Sequence, residues 1–290
     1  MASTQRGQSS ARFWEMLLQL SRAGDGKGYG ATIKSVEPVF DLLLNNLVGS
    51  YDFFNPGAIL PSRGRPLCII AAHGPLTAPL AGMGIIGRLY LDKGLGDMVV
   101  GFYPHPALFW LPGMDKIFSR IGTPTKVYDA PTLVELLKSG RMAVAATAPE
   151  GLSCHFTWDE YVGPLRSGGM IEAAIRADAD LCLFTHLGGT AWAVELKLPF
   201  GLALPMTRGL RGLYIPLPPV LKIPRYSIYS KRFALQLTKA RLEKLSARER
   251  HMAISLEMER VRNELNLMTD ELKRRISKKD GKNPALKSAS

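Results

Sequence analysis

The chain has 290 residues, 46% of them hydrophobic, enough to bury a substantial core, and this excludes disorder along its whole length. Lys and Arg outnumber Asp and Glu by 37 to 25, a net charge of +12 that suits an anionic partner: nucleic acid, an anionic bilayer face or a phosphorylated ligand. The three cysteines, Cys68, Cys154 and Cys182, lie in or beside apolar segments without CxxC spacing, which points to a reduced interior and away from a disulfide framework or a metal centre.

In chain order, the start comes first. Residues 1–7 lack the apolar core of a secretory signal, while a Ser-rich beginning with no acid before Glu15 also fits an organelle transit peptide. Residues 11–22 put Phe13, Trp14, Leu17 and Leu18 on one face of a short amphipathic helix. Beyond the Gly-rich stretch 24–30, Ser35 is placed to cap a second helix, in which Val36, Val39, Phe40, Leu43, Leu44, Leu47 and Val48 follow i, i+3, i+4 spacing. Both helices fit core packing and membrane-surface contact equally.

Residues 67–71 are apolar throughout and read as a buried parallel strand. It delivers His73 to a Gly74-Pro75 turn that cannot continue it. A helix is expected over about 78–91 and a second buried strand over 98–102. The segment 103–113, broken by Pro104, Pro106 and Pro112, reads as an irregular apolar wall around Trp110. A short helix over 132–139, stopped at Gly140, leads to a third strand at 142–148, whose exit carries Pro149, Glu150 and Gly151. Gly168 and Gly169 open a helix ending near Ala177, and residues 181–185 form a fourth strand.

Strand and helix alternating in this way imply an α/β fold with a mostly parallel central sheet flanked by helices. The stretch 199–224 is rich in Gly and Pro with short extended pieces. A helical C-terminal tail is expected from about 231 to 279, its stripe of Val261, Leu265, Met268, Leu272 and Ile276 facing the domain, with a disordered end at 281–290. The expected organisation is N-terminal amphipathic helices at 1–50, an α/β domain at 51–230, a helical segment at 231–280 and a disordered tail at 281–290. No run reaches about 18 consecutive apolar residues, so no spanning helix is expected.

His73 at one strand exit and Pro149-Glu150-Gly151 at another suggest a shared site, because chemistry in open α/β sheets gathers outside the carboxyl ends of the strands. With the Leu-Pro-x-x-Gly-x-Pro lead-in at 60–66, the Leu-Lys-Ser-Gly turn before the second box and the Gly-hinged helix before the fourth strand, this order resembles the glycerolipid acyltransferase superfamily over roughly residues 55–227. Among its members the chain looks closest to the diacylglycerol-acyltransferase-like branch, in which glycine follows the histidine. The resemblance implies transfer of a fatty acyl group from acyl-CoA or acyl carrier protein to a lipid alcohol, with His73 as general base and no cofactor. The chemistry fits, because imidazole, with a free pKa of about 6.5, can take a hydroxyl proton near neutral pH.

The chain departs from the family at two places. Ala78 stands where the family's His-x4-Asp box carries the aspartate that orients the imidazole, which makes Glu150 the first candidate for that task. Leu152-Ser153-Cys154-His155 follow the second box without the arginine that phosphate-using relatives place there, and Lys126 replaces the arginine expected in the block between the boxes. Lys lacks the bidentate fork that suits a phosphate, so a neutral acceptor is expected. Arg166 is a candidate for contact with an anionic group.

The candidate catalytic residues are therefore His73 and Glu150, and the candidate substrate-binding residues Gly74, Pro149, Gly151, Arg166 and Lys126. The expected setting is the cytoplasmic face of a membrane, as a peripheral protein, with a plastid or mitochondrion also compatible. The alternative function is a lipid-binding member of the same family with impaired catalysis. Nucleic-acid binding through the basic tail finds no helix-turn-helix, aromatic RNA-binding box or zinc spacing to accompany it. A serine hydrolase lacks its Gly-x-Ser-x-Gly elbow.

Overall fold

The structure, a computed structural model, describes residues 15, 31–74, 78–103, 130–150, 161–197, 212–216 and 222–281. The expected helix at 11–22, most of the apolar wall at 103–113, Lys126, Gly151, Cys154 and the tail from 282 lie outside the described residues, and Glu15 alone represents the first helix.

The apolar run at 67–71 forms β2 (Leu67–Ala71), and its side chains alternate between two cores. Leu67, Ile69 and Ala71 face one side of the sheet and Cys68 and Ile70 the other, as a strand covered on both faces requires. Around it lie β1 (Tyr51–Phe54), β3 (Val100–Tyr103), β4 (Val144–Thr147), β5 (Asp180–Leu187) and β8 (Tyr226–Phe233), in the order β1-β8-β5-β2-β4-β3. Every neighbouring pair is parallel except β5 with β8. A separate antiparallel pair joins β6 (Ala193–Lys197) to β7 (Gly212–Pro216).

One face of the sheet is covered by α1 (Glu37–Leu47) and α2 (Ala78–Asp92). The other is covered by α3 (Ala130–Lys138), α4 (Gly169–Ala177) and the long C-terminal α6 (Ala247–Lys279), which follows the short α5 (Lys239–Lys244). Gly87 makes close helix packing feasible, since a Cβ there would sit 2.4 Å from the Phe40 ring. Val39, Phe40 and Leu43 are each at most 1% exposed inside this interface. Full burial of such side chains stabilises by roughly 1.5–3 kcal/mol apiece, so this face belongs to the core and is not presented to a bilayer. Residues 31–48 share one apolar cluster with β2, β5 and β8, and packing does not divide at residue 50.

Three local expectations are corrected. Ser35 does not cap α1: a 3₁₀ turn at Lys34–Val36 precedes that helix, and the Ser35 hydroxyl donates back to the Thr32 carbonyl at 2.8 Å. The C-terminal helical segment starts later than residue 231, because Lys231–Phe233 complete β8, whose polar-apolar alternation was hidden beside the Gly/Pro-rich stretch. β5 extends two residues past Thr185, which brings His186 into the sheet. The predicted stripe on α6 does face the domain, with Val261, Leu265, Met268 and Leu272 buried. Among the described residues no helix is long and apolar enough to cross a membrane.

Candidate active site

β2 and β4 are adjacent and parallel, so their carboxyl ends open on the same edge of the sheet. That pairing brings His73, at the exit of β2, to Glu150, at the exit of β4, across 77 residues of sequence. The contact is between the Glu150 carboxylate and the His73 backbone: the His73 N–H donates to Oε1 at 2.9 Å. The second oxygen, Oε2, accepts the Gly163 N–H at 3.2 Å. Pro149 is fixed alongside, its carbonyl accepting the Arg166 backbone N–H at 2.7 Å while the Arg166 side chain lies on an exposed stretch.

Glu150 is 1% exposed. Burial disfavours its ionised form and pushes its pKa up to about 7, against the lowering effect of the two backbone N–H bonds and of the Arg262 charge. A carboxyl that titrates near neutrality at a strand exit is the kind of group that acid-base sites are built from.

The imidazole of His73 is set by its own turn. Nδ1 lies 2.8 Å from the Gly74 carbonyl, and because a carbonyl only accepts, this bond places the ring proton on Nδ1. In the neutral ring Nε2 then carries the lone pair, the form a general base needs. The turn that presents this carbonyl requires glycine, since Gly74 has φ +61° and a Cβ there would stand 2.9 Å from His186 Cε1.

His186, near the end of β5, is the site residue that the sequence analysis missed. Its ring is 2% exposed, stacks on Tyr226 with centroids 5.1 Å apart, and donates from Nε2 to the Ala72 carbonyl at 3.0 Å. Nδ1 has no hydrogen-bond partner among the described residues. Burial holds the pKa of His186 down to about 4, so the ring is neutral at neutral pH and acts as a flat support under the His73-Gly74 turn. The Tyr226 hydroxyl in turn donates to the Ala78 carbonyl at 3.1 Å, which ties the start of α2 to the same layer. The signal was present in the sequence: a second histidine ends a second apolar run. Its meaning depended on β5 lying parallel to β2.

Ala78 itself is fully buried. A Cβ on Gly74 would stand 3.4 Å from the Ala78 Cβ, and the Gly74 carbonyl, one residue from the imidazole, takes Nδ1. Cys68 and Cys182 are buried in strands with their thiols pushed up to about 12 by desolvation, which makes them inert packing groups. Among the described residues no cluster of His, Cys, Asp or Glu could hold a metal ion.

No family model matches the chain, and no curated protein matches it. Among solved structures it is similar to PlsC, the 1-acyl-sn-glycerophosphate (LPA) acyltransferase of Thermotoga maritima. The TM-score is 0.42 and the identity 14%, over 94% of this chain and 89% of that one.

Proposed function

We propose that this chain is an acyltransferase that moves a fatty acyl group from a thioester, acyl-CoA or acyl carrier protein, to a lipid alcohol. The observation that carries the reading is the His73 turn: a strand-exit imidazole whose Nδ1 is held by the Gly74 carbonyl, beside a buried carboxyl that titrates near pH 7. Nε2 of His73 takes the proton of the acceptor hydroxyl as its oxygen attacks the thioester carbonyl carbon. The C–S bond breaks, and the imidazolium returns the proton to the departing thiolate. A backbone carbonyl fixes the tautomer, as the family's aspartate does, but brings no full charge to the imidazolium. Glu150, bonded to the His73 backbone N–H, supplies that charge when ionised.

The acceptor is proposed to be neutral, such as diacylglycerol, because the chain lacks arginines at the positions where phosphate-using relatives carry them. A membrane surface is the proposed place of work, since such an acceptor resides there and the chain carries +12.

The test is transfer of radiolabelled acyl groups from acyl-CoA to diacylglycerol vesicles by the purified chain and by His73→Ala. General-base removal is expected to lower the rate by about 10²–10⁴-fold with the fold intact. Wild-type turnover in the variant would overturn the mechanism. Vesicle binding without any transfer by the wild type would favour the lipid-binding reading.

A further inference from the structure

The stripe of α6 next to its apolar face carries Arg262, Asn266, Asp270 and Lys273 at successive turns, and it grips the short segment that follows the second box. Asn266 takes both backbone polar groups of Val162: the Val162 N–H donates to Oδ1 at 2.7 Å, and Nδ2 donates to the Val162 carbonyl at 3.4 Å. Arg262 Nε donates to the same carbonyl at 3.3 Å. One residue earlier, the Tyr161 hydroxyl donates to Asp270, and the Lys273 ammonium lies 4.1 Å over the Tyr161 ring. One residue later comes the Gly163 N–H that holds Glu150 Oε2.

We propose that Asn266 is a positioning residue for the candidate site: by holding the N–H and the C=O of Val162 across 104 residues of sequence, it sets the Val162–Gly163 peptide whose N–H fixes Glu150, and through Glu150 the backbone of His73. This rests on the reading of His73 as the base. The chain of contacts is short and each link is a directed bond. Its longest members are the Asn266 Nδ2 bond to the Val162 carbonyl at 3.4 Å and the Gly163 bond at 3.2 Å, so a displacement of Val162 by a fraction of an ångström breaks these first. The tyrosine contacts hold a side chain, whereas Asn266, with Arg262 on the same carbonyl, holds the peptide that carries the Gly163 N–H. The charged and titratable groups facing Glu150 among the described residues are His73 from the exit of β2 and Arg262 from α6. Loss of the Gly163 bond leaves Glu150 buried with one donor fewer, so it holds its proton to higher pH and withholds charge from His73.

The experiment uses the full chain labelled with ¹³C at glutamate and ¹⁵N at glycine, with Glu150→Gln to assign the carboxyl signal. In Asn266→Ala the Glu150 titration is expected to move above its wild-type position near pH 7, and the Gly163 amide to exchange at least tenfold faster. In the same variant kcat for acyl transfer is expected to fall about tenfold, with KM for acyl-CoA within twofold. Asn263→Ala, an equal change on the exposed face of the same helix, is expected to move none of these. A folded Asn266→Ala protein with an unchanged Glu150 titration and unchanged Gly163 exchange would overturn the proposal. If that variant does not fold, Asn266→Asp carries the test: it keeps the acceptor for the 2.7 Å bond but loses the donor to the Val162 carbonyl, so the Gly163 amide is expected to exchange faster than in the wild type, and unchanged Gly163 exchange with an unchanged Glu150 titration would overturn the proposal. A wild type without transferase activity would remove the acyltransferase reading alone, since the carboxyl and amide signals judge the positioning role without turnover.

Discussion

Two buried glutamates of this chain do the same local job, one with an arginine in direct contact and one without. Glu257 on α6 accepts the backbone N–H groups of Gln236 and Leu237 through Oε1, both at 2.9 Å, and its Oε2 meets Arg260 Nη1 at 2.6 Å. Glu150 accepts two backbone N–H groups as well, from His73 and Gly163, but among the described residues no cation stands within 4 Å of it. A guanidinium offsets the cost of enclosing the carboxylate at Glu257, and the result is a fixed staple between α6 and the stretch after β8. Glu150 has no such ion pair among the described residues, and burial outweighs its two N–H bonds and the Arg262 charge, pushing its pKa up to about 7. On the proposed reading, the difference separates a structural carboxylate from one that serves the chemistry.

The largest effect expected from breaking this comparison is at the staple. Glu257→Ala leaves two backbone donors and Arg260 without their acceptor and is expected to cost about 3 kcal/mol in urea unfolding at pH 7, with Glu257→Gln, which keeps an acceptor oxygen, costing about 1 kcal/mol. A loss below about 1 kcal/mol in the alanine variant would refute the staple.

Glu150 should instead reveal itself through pH. Its folded pKa of about 7 lies above its unfolded value of 4.5, so its contribution is fully present below pH 4.5 and lost as pH rises through about 7. Measured as the difference from Glu150→Gln, wild-type stability is expected to fall by on the order of 2–3 kcal/mol between pH 4.5 and pH 8. His186 runs the other way, its folded pKa of about 4 lying below 6.5, so its contribution is present above pH 6.5 and lost as pH falls through about 4. A wild-type-minus-Glu150→Gln curve that is flat across this window would show that Glu150 does not carry the raised pKa.

Adding a carboxylate at the position of the family's box aspartate sharpens the contrast. Ala78 is fully buried with its carbonyl already bonded to Tyr226, so Ala78→Asp is expected to cost about 2 kcal/mol and to leave acyl transfer no higher than in the wild type. A rise in transfer would mean that the imidazole is not oriented by Gly74. The smallest effect is expected at the turn itself: Gly74→Ala forces a side chain into a left-handed position against His186 and should cost about 1–2 kcal/mol in thermal unfolding while lowering kcat. An unchanged kcat would separate the turn from the chemistry.

By itself the sequence determined the strands and helices whose pattern is local. The apolar run at 67–71 could only be a buried strand, the apolar stretches near 144 and 181 likewise, and the glycine and proline punctuation after them put His73 and Glu150 at strand exits. These features depend on neighbours within a few residues, where period, propensity and turn chemistry act directly. Tertiary structure decided what those residues touch. That Glu150 holds the His73 backbone while Gly74 takes the ring, that His186 lies beneath the turn, that β8 runs antiparallel beside β5, and that Asn266 grips Val162 all follow from which distant segments meet. The helix bearing Val39, Phe40 and Leu43 makes the same point: its amphipathic face was legible, but only packing against Gly84 and Gly87 chose protein over membrane as its cover. An apolar stripe specifies that it must be buried and not against what, because the hydrophobic effect is non-directional, whereas a hydrogen bond specifies its partner only once the fold has brought donor and acceptor within about 3 Å.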